Sequence, residues 1–269
     1  MKKMMIDYNQ ITSQFTDDLD KMQEQFVKRM EGAFRGDLSA VDLARLNAEI
    51  DFFEELNALG YNSKVTEMIG NYDEIVRLVH SEATRRGLTG IVGVAAQDLE
   101  ILALNEEIFL LDKGRLYTQQ FKNAIFRSII GGETMGELLP TLRNIPLTDS
   151  QLTIGVSTGI TRFQRTAVGR VYDEAPNQRF KLSDDPLDSK TRASCAAVIR
   201  HQPKEGWTRA EINAGQVTKI ALEFLSETEY SPSERVFLQT NGYKWIEAGG
   251  WNCRHDWVPT GEFKGKGIE

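Results

Sequence analysis

The sequence predicts a mainly α protein with a small α+β module at its C-terminus. Three observations carry this. From Ile11 to Val168, apolar residues recur at spacings of three and four with charged residues between them, the period of amphipathic helices. After Gly169 that period fails and turn residues crowd the chain: Pro176, Asn177, Ser183, Asp184, Asp185, Pro186 and Asp188. Within the same stretch Arg179-Phe180-Lys181-Leu182 alternates like a short strand. The expected organisation is a helical assembly region over 1–169 followed by a mixed module over 170–269.

The elements follow in order. Phe15, Leu19, Met22, Phe26 and Met30 make one face of a helix over Ile11–Phe34, stopped by Gly36. Ser39, with Asp42 three residues on, is an N-cap for a second helix running to Gly60. Asn62 and Ser63 open a third, and Tyr72–Arg86 forms a fourth, broken by Gly87, Gly90 and Gly93. On its apolar stripe His80 reads as a hydrogen-bonded core or boundary histidine. Ile91–Leu111, the least polar stretch, is expected to be a long, well-buried helix, and Tyr117–Ile130 another, closed by Gly131-Gly132. Thr134 starts a short helix to Leu142, and Thr148-Asp149 caps one that carries Leu152, Val156, Ile160, Phe163 and Val168. Gly155, Gly159 and Gly169 either weaken that helix or let a neighbour approach closely. Beyond Gly169, Thr208 and Glu211 form a capping box, Val217–Leu225 a helix, and Arg235–Gln239 with Gly242–Glu247 a hairpin about Asn241-Gly242.

Composition excludes several classes. At 269 residues, 41% hydrophobic and 26% charged, the chain can build a substantial core. A net charge of -7 opposes general nucleic-acid binding, which needs clustered Lys and Arg. Two cysteines do not make a disulfide scaffold. The first residues, Met1-Lys2-Lys3-Met4-Met5-Ile6-Asp7, lack the apolar core of a signal peptide, and no uncharged stretch reaches membrane-spanning length. Synthesis in the cytoplasm is the expectation. No internal repeat or low-complexity segment is present.

Chemistry-bearing residues concentrate in two segments. Asp188-Ser189-Lys190-Thr191-Arg192-Ala193-Ser194-Cys195 holds one of the two cysteines; Gly249-Gly250-Trp251-Asn252-Cys253-Arg254-His255-Asp256-Trp257-Val258-Pro259 holds the other. The chain is expected to fold back so that they meet and close the module. Cys195 is placed in a turn, with His201 six residues on; Cys253 and His255, two apart, share one face of an extended strand. Cys195, His201, Cys253 and His255 form a chemically valid tetrahedral zinc set, although not at a standard zinc spacing. Buried thiols that anchor the loop are the simpler reading, and a Cys195–Cys253 disulfide is a third. A thiol or metal-dependent hydrolase, with Cys253 as nucleophile, His255 or His201 as base and Asp256 or Asp188 orienting it, is the enzymatic alternative. Side chains at alternate strand positions run parallel rather than converging, and no nucleophile elbow or phosphate loop is present. Arg192 and Arg254 can pair with Asp188 and Asp256 across the fold-back. Trp251 and Trp257, six apart, share a strand face, as core or as a partner surface.

The pairing of D-S-K-T-R-x-x-C (Asp188 to Cys195) with G-G-x-N-C-R-H-x-W-V-P (Gly249 to Pro259) resembles the C-terminal module of phage head-morphogenesis proteins, the Mu F-like minor head protein family of tailed bacteriophages. Ile130-Gly131-Gly132 and the Thr- and Arg-rich helix Thr158–Val168 fall in the family's order, so the likeness covers roughly the second half of the chain. It departs at Asp184-Asp185-Pro186-Leu187-Asp188, where relatives have G-P-x-D, and at His255, where many have cysteine. The resemblance implies a virion protein made in the host cytoplasm, portal-associated or capsid-interior, acting in head assembly or DNA delivery without enzymatic activity. Its partners would be portal, capsid or neck proteins, or further copies of itself, with nucleic-acid contact at most secondary. It implies no cofactor, or a structural zinc, with Asp188, Arg192, Asn252 and Arg254 as structural motif residues.

Overall fold

The computed structural model describes residues 8–34, 39–88, 90–91, 93–183, 191–225, 231–246, 248 and 255–260. Among these, the first part is entirely helical: α1 (Tyr8–Ala33), α2 (Ala40–Glu49), α3 (Phe52–Ala58), α4 (Tyr61–Arg85), α5 (Val94–Gly131), α6 (Met135–Arg143) and α7 (Ser150–Val171). The second part alternates β1 (Arg179–Leu182), α8 (Ala193–His201), β2 (Trp207–Thr208), α9 (Arg209–Asn213), α10 (Gln216–Phe224), α11 (Pro232–Thr240) and β3 (Trp257–Pro259). The fold is thus mainly α with a small C-terminal sheet, as the periodicity predicts. Among the described residues no helix is long and apolar enough to cross a membrane. The described residues fall into two compact units, one within 8–71 and 103–156 and the other within 72–102 and 157–260.

The first unit is all helix. The α1 stripe of Phe15, Leu19, Met22, Phe26 and Met30 is buried throughout. Phe26 meets Tyr117 and Phe121 of α5 edge-on, with ring centroids 5.5 and 5.1 Å apart. Phe52 of α3 and Leu138 and Leu142 of α6 are buried here too. The expected single helix from Ser39 to Gly60 is two: Ile50 is extended, and the Asp51 carboxylate restarts the chain by accepting from the Phe53 and Glu54 amides at 3.0 and 3.1 Å.

Two further expectations are corrected in the opposite sense. The third and fourth helices are one element, α4, because Tyr61, Val65, Met68, Tyr72, Ile75, Val79 and Ala83 keep one buried stripe through Gly70. Likewise α5 runs unbroken through Gly114, where an added Cβ would overlap the Tyr61 ring. The Tyr61 hydroxyl donates to the Leu110 carbonyl at 2.5 Å, and burial pushes this phenol up from its ordinary pKa. Nor is the front of α5 well buried: Ile101, Leu104 and Ile108 are about half exposed.

In the second unit β1 is the central strand of a fully antiparallel sheet ordered β2-β1-β3. Phe180 lies opposite Trp207 on one side and Pro259 on the other, and Leu182 opposite Trp257. Alternation buries Phe180 and Leu182 and turns Arg179 and Lys181 outward. Gly206 must be glycine: its φ is +75° and a Cβ would overlap the Phe180 carbonyl. The expected hairpin about Asn241-Gly242 is the end of helix α11. Ser231, Pro232 and Glu234 open that helix as a capping box with proline in the first turn. Asn241 and Gly242 close it, both amides donating to the Phe237 carbonyl at 2.9 and 2.8 Å, with Gly242 at φ +60°.

Candidate functional site

The second motif and the strand that receives it meet against α7, and this junction is the candidate site. From Ser157 to Val171 only Arg162 and Arg170 of α7 are exposed, so most of its polar residues are enclosed with its apolar ones. Thr161, Gln164 and Arg165 are all buried. The Arg165 guanidinium is 3.3 Å from the Asp256 carboxylate and donates to the carbonyls of His255 and Ile246 at 2.6 and 3.1 Å. The Gln164 amide donates to the other Asp256 oxygen at 3.3 Å. The Asp256 backbone continues the β1–β3 ladder, accepting from the Ser183 amide at 2.8 Å and donating to the Ser183 hydroxyl at 3.0 Å. A buried carboxylate and a buried guanidinium thus compensate each other, and the guanidinium also satisfies two loop carbonyls.

Trp245 lies beside this node. Its indole N–H donates to the Arg165 carbonyl at 3.0 Å, and its own carbonyl accepts from the Trp257 indole at 2.8 Å. The two indoles stack 6.1 Å apart, Phe180 meets Trp245 edge-on at 4.5 Å, and the Arg209 guanidinium lies 5.3 Å from the ring. Gly169 makes room: a Cβ there would overlap the Trp245 indole. The glycine spacing in this helix therefore admits side chains, Trp245 at Gly169 and the Phe109 ring, 2.9 Å from a Cβ built at Gly155.

A second buried node ties the first motif to α11. Cys195 lies on helix α8 rather than in a turn. Next to it, Ser194 donates through its amide and hydroxyl to one Glu234 oxygen at 3.3 and 2.8 Å. The other Glu234 oxygen accepts from the Ser231 amide and hydroxyl at 3.2 and 3.0 Å. One carboxylate thus serves two helix N-termini, where the helix dipole favours negative charge. Burial opposes ionisation, but the bonds from Ser194 and Ser231 outweigh it and hold the Glu234 carboxyl below its ordinary pKa.

The proposed metal set is distributed as follows. Cys195 is buried and its sulfur accepts from the Tyr243 hydroxyl at 3.3 Å. His201 is six residues along the same helix, about 120° round it, exposed and stacked on Phe224 at 3.8 Å. His255 is buried beside Arg165. Among the described residues no three His, Cys, Asp or Glu side chains are grouped as a metal site, so these three do not converge. Cys253, Asn252, Arg254, Asp188 and Trp251 lie outside the described residues. Arg192 is the N-cap position of α8, and Asp256 pairs with Arg165 of α7. Trp257 is core, and the His80 ring accepts the Ile91 amide at 3.2 Å, as expected of a hydrogen-bonded histidine. Sequence reasoning did not nominate Gln164, Arg165, Trp245 or Glu234. For Arg165 the signal was the Thr- and Arg-rich face; for Glu234, its place three residues after Ser231. No protein-family model, curated protein sequence or solved structure matches this chain.

Proposed function

We propose that this chain is a minor structural protein of a tailed-bacteriophage virion, associated with the portal or the capsid interior and acting in head morphogenesis or DNA delivery. The order of the two motifs, Asp188–Cys195 and Gly249–Pro259, motivates the reading. One observation supports it: three polar groups of the second motif are used internally. The Asp256 carboxylate, the His255 carbonyl and the Asp256 amide all bond to α7 or Ser183. That is the work of a fastening rather than of a nucleophile or base, which must face substrate. On this reading the motif locks a rigid terminal module and the helical part supplies assembly contacts. The partners are portal, capsid or neck proteins, and the chain turns over no substrate.

Quantitative mass spectrometry of purified tailed particles from the genome encoding this chain is the test. The expected result is the chain in the particle at a few copies, far below the major capsid subunit. A chain that stays in the particle-free lysate sinks the virion reading. Retained particle assembly with loss of a measurable hydrolysis in a Cys253→Ala variant would favour the thiol enzyme instead.

A further inference from the structure

We propose that the exposed face of α5 pairs antiparallel with the same face of a second copy of this chain. The side chains that carry it lie within the first unit. Leu104, Ile108, Asp112, Arg115, Gln119, Lys122, Phe126 and Ile130 recur at steps of three and four and form one exposed stripe. Four of them are large and apolar, with exposures of 54% for Leu104, 47% for Ile108, 56% for Phe126 and 71% for Ile130. They sit at the two ends of the stripe and the charged residues in its middle.

That arrangement is its own complement. In a two-fold symmetric contact, if residue i of one copy meets residue j of the other, then j meets i. An antiparallel pairing centred at Tyr117 sets Leu104 against Ile130 and Ile108 against Phe126, each twice. It sets Asp112 against Lys122, also twice, and Arg115 against Gln119. Every apolar residue then meets an apolar one and every acid a base, along about 39 Å of helix. Parallel pairing instead sets Asp112 on Asp112 and Lys122 on Lys122, which like-charge repulsion disfavours. The polar centre also fixes register, as a polar seam position does in a coiled coil. The Asp112 carboxylate already holds Arg115 of its own helix at 2.9 Å, which leaves Lys122 of the second copy to approach its open side. The inference does not depend on the virion assignment.

Sedimentation velocity of the intact chain across micromolar concentrations tests it, with circular dichroism to confirm that each variant folds. The unmodified chain should be a dimer. I108D and F126D, each placing a carboxylate at a half-exposed apolar site, should each weaken the dimer by at least about a hundredfold, roughly the cost of a charge in an apolar contact. D112K and K122D should each weaken it by about tenfold through like-charge contact. The D112K/K122D double variant restores both cross-pairs and should dimerise nearly as well as the unmodified chain. A monomer at all concentrations overturns the proposal, and so does a double variant as weak as the sum of its singles.

Discussion

Arg165 and Asp256 show what a buried charge requires. Each alone would lose several kcal/mol of hydration, and the pair is compensated by hydrogen-bonding groups that include each other, Gln164, and the carbonyls of His255 and Ile246. Removing one member strands the other. Asp256→Ala should therefore destabilise the second unit by about 3–5 kcal/mol, read as a lower urea midpoint. A variant within 1 kcal/mol of the parent would show that water replaces the carboxylate. Glu234 adds a pH signature. Its folded pKa is depressed below the ordinary 4.5, so its stabilisation is present above that value and is lost as pH falls through the folded one. Glu234→Gln should cost about 1–3 kcal/mol at pH 7 and flatten the acid limb of the stability profile. An unchanged acid slope would assign that slope to other carboxylates.

At the scale of elements, Asn241-Gly242 is the instructive case. A type I′ hairpin turn and a helix C-cap both want glycine with positive φ, so the dipeptide alone does not choose between them. What decides is ten residues upstream, where Ser231-Pro232-Ser233-Glu234 begins a helix that the pair then ends. Gly242→Ala must hold alanine at φ +60° and push its Cβ into Thr218, so a loss of about 2 kcal/mol or more is expected in chemical denaturation. A neutral result would mean that α11 ends differently in solution. The caps at Ser39 and Thr208 were legible because each spans four residues, and at Thr134 the helix start was legible but not its box with Glu137. The breaks expected before Tyr72 and before Tyr117 do not occur, because the buried stripe that carries α4 past Gly70 and the Tyr61 ring that fills the notch at Gly114 are set by packing. The sheet strand β1 was visible in its alternation. The site was visible only in part, since Arg165 lies 91 residues from Asp256 and nothing local marks them as partners.

For the molecule as a whole, Gly169 is where the residue pattern changes, yet α7 continues through it to Val171. Much of what fastens residues 170–269 comes from just before that point. Arg165 and Gln164 hold Asp256, the Arg165 carbonyl holds the Trp245 indole, and Gly169 itself seats that ring. A fragment spanning 170–269 would leave the Asp256 charge and the Trp245 N–H without these partners, and should not fold cooperatively. All four tryptophans lie in that stretch, so near-ultraviolet circular dichroism reports on it directly. The fragment should lack the tryptophan bands of the intact chain. Trypsin adds an independent reading, since Arg162, Arg165 and Arg170 flank Gly169 inside a continuous helix. Limited digestion of the intact chain should spare these sites, because a protease needs an extended segment and opening α7 would break the Arg165 node. A stable C-terminal piece released there, with its tryptophan bands intact, would instead make Gly169 a true domain boundary and reduce the α7 contacts to a docking of two self-sufficient folds.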